Sequence, residues 1–150
     1  MDIPFVPADF EPPTEFTSDS FHLEVLGPRH NDRDHAAWMS SIDHIRATPG
    51  FSEDEEPGWP TPMSLESNMD DLVRHQRDFE ERKGFTYSIL DGDEVFGCVY
   101  IYPHKGDHDA AVSCWVTATR SAMDEPVRDA LWAWVRESWP FTNPHFAGVT

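Results

Sequence analysis

Val112-Ser-Cys-Trp-Val-Thr-Ala-Thr-Arg-Ser-Ala-Met-Asp-Glu-Pro-Val-Arg-Asp-Ala-Leu-Trp132 is the stretch that decides the fold. Ala111 to Thr117 reads as an apolar strand. A short turn follows, and then an amphipathic helix from Glu125 to about Ser138, with Val127, Leu131, Trp134 and Val135 on one side. A strand that feeds a helix N-terminus is a standard cradle for a phosphate. This turn lacks glycine and carries Asp124 and Glu125 instead, so the segment points to a fold and away from its usual chemistry.

Upstream lie two further strands. Phe85, Tyr87 and Ile89 alternate with Thr86, Ser88 and Leu90, and Asp91-Gly92-Asp93 is a strong hairpin signal. Glu94 to Tyr102 is nearly continuous in apolar residues, as expected for a strand covered on both faces. Pro103 to Asp109 is a polar turn. Downstream, Trp139-Pro140-Phe141 ends the helix, and His145 to Val149 is read as a last short strand.

Towards the N-terminus, Ser64 opens a helix with Leu65, Met69, Leu72, Gln76 and Phe79 on one stripe, and Arg82-Lys83-Gly84 closes it. Phe21 to Leu26 alternates as a strand ended by Gly27-Pro28. Asn31 to Thr48 is a helix with Trp38, Ile42 and Ile45 on one face, stopped by Thr48-Pro49-Gly50. Between the helices, Glu53 to Glu56 and Pro57-Gly58-Trp59-Pro60 form a loop. The plainer reading is a solvated acidic loop; the other is a mobile cover over a pocket, with Trp59 as its lid. Residues 1–20, with Pro4, Pro7, Pro12 and Pro13 among Phe5, Phe10 and Phe16, read as an extended arm, and residues 21–150 as one domain. The element order predicts an α+β, mixed α/β layer fold: a central, mostly antiparallel sheet flanked by helices.

That order resembles the GNAT-type N-acetyltransferases, over roughly residues 21 to 150. The run Glu94-Val-Phe-Gly-Cys-Val-Tyr100 is similar to the family's third strand. The resemblance implies a fourth strand that splays from the fifth, with acyl-coenzyme A in the gap. It assigns the cofactor to backbone at Cys114, Trp115 and Val116 and to the turn Arg120-Ser121-Ala122-Met123, where the family has an Arg/Gln-x-x-Gly-x-Gly/Ala pattern. Arg120 matches its first position; the glycines are missing, and Asp124 and Glu125 stand where the helix dipole favours a negatively charged ligand. The family continues beyond its fifth strand into a further helix and strands, one of which carries a tyrosine general acid. By the resemblance, that part is expected to lie beyond the matched residues, so no residue among them is expected to take the tyrosine's role.

The resemblance therefore implies acetyl transfer from acetyl-CoA to a small amine. The alternative is a catalytically silent GNAT-like binding or assembly module that takes no CoA. A homodimer is expected in either case. Tyr100, Tyr102 and His104, at the end of the strand next to the fourth, are the catalytic candidates, with His104 as base. Sheet packing is the competing role for the tyrosines, and an exposed turn for His104. His75 lies beside the helix stripe between Leu72 and Phe79; the plainer reading is a surface or half-buried histidine, the other a residue that borders a pocket.

Twenty-eight acidic residues against eleven basic ones give a net charge of −17, which repels nucleic acid and anionic membranes. His104, Asp107, His108 and Asp109 share a turn without regular ligand spacing, so no metal is expected. Cys98 and Cys114 read as buried, reduced thiols, and no Cys-x-x-Cys occurs. Met1-Asp2-Ile3-Pro4 does not resemble a signal peptide and no run is long enough to cross a membrane, so a cytoplasmic protein is expected. Six tryptophans exceed one core stripe, and Trp132, off the main helix face, is the expected interface residue.

Overall fold

The computed structural model describes residues 4–149, so the first three residues of the expected arm and Thr150 lie outside the described residues. One six-stranded sheet runs in spatial order from β1 to β6: β1 Glu15–Thr17, β2 His22–Val25, β3 Phe85–Asp91, β4 Glu94–Tyr102, β5 Ala110–Val116 and β6 Pro144–Phe146. Every neighbouring pair is antiparallel except β5 and β6, which are parallel. The helices are α1 Asn31–Met39, α2 Ile42–Arg46, α3 Leu65–Glu80 and α4 Asp124–Ser138.

The sheet separates two cores. Val127, Leu131 and Val135 of α4 pack with Tyr87, Val99 and Val112 on one side. Leu26, Trp38 and Leu72 pack with Leu90, Cys98 and Trp115 on the other. β4 lies between them, which explains its continuous apolar run. Trp132 is a correction: it is buried, with its ring 4.7 Å from that of Phe146, and serves the core rather than an interface.

Local chemistry sets the ends of the elements. Ser64 Oγ accepts the Ser67 N–H at 3.1 Å and caps α3. After α3 it is Arg82, not Gly84, that turns left-handed, at φ 62°. Gly84 is needed for another reason: a Cβ there would run into the ring of Tyr102. The expected helix from Asn31 to Thr48 is broken at Ser40–Ser41, where Ser41 Oγ accepts the Ala118 N–H at 2.8 Å. Glu15–Thr17, read as arm, pairs as an edge strand with His22–Glu24. Its Phe16 stacks on Trp134 at 5.1 Å. No helix of the described residues is long and apolar enough to cross a membrane.

Candidate functional site

β5 and β6 stay together only over three residue pairs, the last being Val112 with Phe146. Beyond it β5 runs on to Val116, and among the described residues no strand pairs with it on that side. A cavity of about 620 Å³ opens at this parting. Ser113, His145 and Ala147 line it from the two strands, Tyr100 and Tyr102 from β4, and Leu72 and His75 from α3.

The loop between α2 and α3 covers the cavity, and it is held by specific bonds. Arg46 donates to the carbonyls of Phe51, Glu56 and Pro60 at 3.1, 2.8 and 3.4 Å and pairs with Glu53 at 2.9 Å. The Glu55 carboxylate accepts from the N–H groups of Gly50 and Ser52 and from the Ser52 hydroxyl. Trp59 turns inward, with ring centroids 5.6 Å from Trp38 and 6.0 Å from Phe51.

The floor is a buried polar network. Asn68 Oδ1 accepts the Trp38 indole N–H at 3.0 Å, while its Nδ2 donates to Asn31 Oδ1 at 2.8 Å and to Asp34 Oδ2 at 3.0 Å. The Cys98 thiol donates to the other Asp34 oxygen at 3.4 Å. Burial pushes the Asp34 carboxyl above its ordinary value, and it pushes the Cys98 thiol well up too. The Trp115 indole N–H donates to Tyr100 Oη at 3.0 Å, and burial raises the Tyr100 hydroxyl well above the usual phenol range.

One wall holds a second network. The Tyr102 hydroxyl donates to Asp78 Oδ2 at 2.9 Å. His75 Nδ1 lies 2.9 Å from Tyr102 Oη and 3.2 Å from Thr86 Oγ1. With Tyr102 donating to Asp78, its Oη is placed to accept from Nδ1–H, the tautomer in which Nε2 keeps its lone pair. Burial brings the imidazole down to about 4, so it is neutral at physiological pH.

The structure brings two of the three catalytic candidates, Tyr100 and Tyr102, into the cavity wall. His104 is not in that wall: it sits in the turn after β4, with its ring 4.8 Å from that of His108 and 5.3 Å from that of His145 on β6, and its Nδ1 accepts the Gly106 N–H at 2.8 Å. Among the described residues no group of His, Cys, Asp or Glu side chains is arranged to hold a metal.

The residues assigned to the cofactor lie on β5 and in the turn that follows it. The side chains of Cys114, Trp115 and Val116 are buried, and burial pushes the Cys114 thiol up to about 12. The turn is a tight helical segment, Ala118–Met123. Ser121 and Ala122 are exposed, and Met123 packs against the core. Arg120 is engaged by Asp91 at 3.0 Å and Glu94 at 2.9 Å, over the ring of Phe96. Its hydrogen bonds to Asp91 and Glu94 raise it further.

The chain's own α2 runs alongside this turn. His44 Nε2 lies 2.9 Å from Asp124 Oδ2, off the angle of a good hydrogen bond. Gly50, at φ +96°, lies against both strands at their parting: a Cβ there would sit 3.2 Å from that of Ser113 and 3.1 Å from that of Ala147.

The fold is that of the GNAT-type N-acetyltransferases. The chain is similar in structure to the microcin C7 self-immunity acetyltransferase, solved in complex with acetyl-CoA and AMP. The two share 14% identity and a TM-score of 0.59, over 80% of this chain and 63% of that one. The ribosomal-protein-S5-alanine acetyltransferase from Vibrio fischeri shares 10% identity and a TM-score of 0.58, over 82% of this chain and 68% of that one. An acetyltransferase from Thermus thermophilus shares 15% identity and a TM-score of 0.55, over 76% and 68%. The chain thus spans about two thirds of the length of these structures. No family model matches it, and no curated protein matches it in sequence.

Proposed function

We propose that the chain is an acyltransferase that moves an acyl group from acyl-CoA to a small amine bound in the covered cavity. The observation that carries this reading is the position of the cavity. It opens where β5 leaves β6, the place where this fold hands over an acyl group, with Ser113 and the two β4 tyrosines in its wall. The amine nitrogen attacks the thioester carbonyl, and backbone N–H groups of β5 would stabilise the developing oxyanion.

A second reading has its own support. α2 and the Thr48–Gly50 turn lie along the path from Asp124 to Ser113, where a pantetheine arm would run, and Arg120 is tied to two carboxylates. These contacts favour a binding module that takes no CoA. The test is thiol release from acetyl-CoA in the presence of amines. Amine-dependent release supports the transferase; none, with acetyl-CoA present at high excess, supports the module.

A further inference from the structure

We propose that His75, held by Tyr102 and Asp78, is the proton acceptor of this cavity, and that the acceptor it serves is an uncharged, weakly basic amine of the arylamine class. The inference rests on the acyltransferase reading for its reaction and on the cavity wall for its base.

The base is argued from geometry. His75 is on α3, one turn before Asp78 and facing the end of β4, so Tyr102 Oη can bridge the two. Asp78 accepts the phenol hydrogen bond, and the phenol oxygen is placed to accept from Nδ1–H, with Thr86 Oγ1 3.2 Å from the same nitrogen. This arrangement favours the tautomer that leaves Nε2 bare, the same logic by which a carboxylate orients a catalytic histidine. Nothing among the described residues hydrogen-bonds to that nitrogen, and the residue lines the cavity.

The acceptor class follows from what lines the cavity. Trp38, Phe51, Trp59 and Tyr100 give the inner cavity aromatic walls. Its carboxylates are already committed: Asp34 to Asn68 and Cys98, Glu55 to Gly50 and Ser52, and Asp71 to Arg74 at 3.2 Å. Glu56 lies exposed at the mouth. An alkylammonium entering this cavity would have to compete with Arg74 for Asp71 and with Tyr102 for Asp78, the carboxylates that act on His75. The charged groups nearest the imidazole are Arg74, which disfavours its protonation, and Asp71 and Asp78, which favour it; burial outweighs all three. An alkylammonium that ionises near 10 would surrender its proton to such an imidazole against a factor on the order of 10⁶. An arylamine arrives neutral.

In the step, the neutral amine nitrogen attacks the thioester carbonyl and a C–N bond forms. Nε2 takes the N–H proton. The C–S bond then breaks, and the leaving thiolate takes the proton from the imidazolium. The products are an N-acyl arylamine and free thiol, and His75 is restored.

The test has two arms. In the first, diethyl pyrocarbonate, which acylates only unprotonated imidazole, is applied to the native chain at about pH 7 and about pH 5, and the modified histidines are mapped by mass spectrometry. An ordinary histidine slows about 25-fold between these values, because its neutral fraction collapses. His75 is expected to slow less than about twofold. Failure of His75 to react at the lower pH overturns the base assignment, whatever the enzyme does.

In the second arm, acetyl-CoA is offered with para-anisidine or spermidine. Preferred acetylation of para-anisidine supports the proposal, as does a loss of kcat on the order of 10² in His75→Gln with KM held. Tyr102→Phe is expected to lower kcat, again with KM held, as a positioning residue should. Preference for spermidine overturns the acceptor class. Transfer to neither amine overturns the acyltransferase reading and the acceptor class together, while the first arm still decides the base.

Discussion

Acidification should unfold this protein partly through one histidine. The His75 imidazole ordinarily ionises at 6.5, and burial brings it to about 4 in the folded chain. Below 6.5 the unfolded chain takes up a proton here that the folded chain refuses until about 4. The group's contribution is therefore fully present above 6.5 and is lost as pH falls through the window to about 4. The fall of 2.5, from 6.5 to 4, at 1.36 kcal/mol for each, is worth at most about 3 kcal/mol. The perturbation is His75→Gln, which keeps a polar side chain but cannot titrate. The assay is urea unfolding followed by tryptophan fluorescence, at several pH values between about 7 and about 4. The native chain should lose about 3 kcal/mol more than the variant across that range, a relative shift in midpoint of about 1–2 M. Asp34 works in the opposite direction, because a raised carboxyl favours folding at low pH, but it is present in both proteins and cancels in the comparison. Parallel loss of stability in the two proteins would refute the neutral state of the half-buried His75.

Asn68→Leu orphans the Trp38 indole, Asn31 Oδ1 and one Asp34 oxygen at once, and should cost about 3–5 kcal/mol in the same urea assay; a loss under about 1 kcal/mol would mean that water replaces the network. Arg120→Ala removes two partly exposed ion pairs and should cost less than about 1 kcal/mol; calorimetry should find its acetyl-CoA binding unchanged, because the guanidinium is already engaged. Trp132→Ala empties a buried site beside Phe146 and should cost about 3–5 kcal/mol by urea unfolding, without a change in oligomeric state by light scattering.

The sheet was largely legible because its residues follow local rules. Alternation marks β3, Asp91-Gly92 marks the β3–β4 hairpin, and the unbroken apolar run of β4 marks a strand covered on both sides. Glu15–Thr17 escaped because three residues among prolines carry no period, and their pairing with His22–Glu24 appears only when the chain folds back. The break at Ser40–Ser41 was hidden for a related reason: the serine that interrupts the helix does so to meet Ala118, 77 residues away.

The site was legible in part. Tyr100 and Tyr102 could be placed because one strand carries both, and alternation puts them on one face. His104 follows them in sequence, but the Pro103–Asp109 turn packs it on His108 and behind His145, outside the cavity lining. His75, Asp78 and Tyr102 meet from a helix and a strand, and Asp34 meets Asn68 and Cys98 from two helices and a strand. The one local hint was the three-residue spacing of His75 and Asp78, which places both on one side of a helix but says nothing of their partner.

Calorimetric titration of the native chain with acetyl-CoA tests the acyltransferase reading most directly. The account predicts micromolar binding, which requires the α2 segment beside Asp124 to make room for the cofactor. Absence of binding at millimolar acetyl-CoA by the folded chain would contradict it, and would leave a covered cavity on an acetyltransferase fold that serves some other ligand.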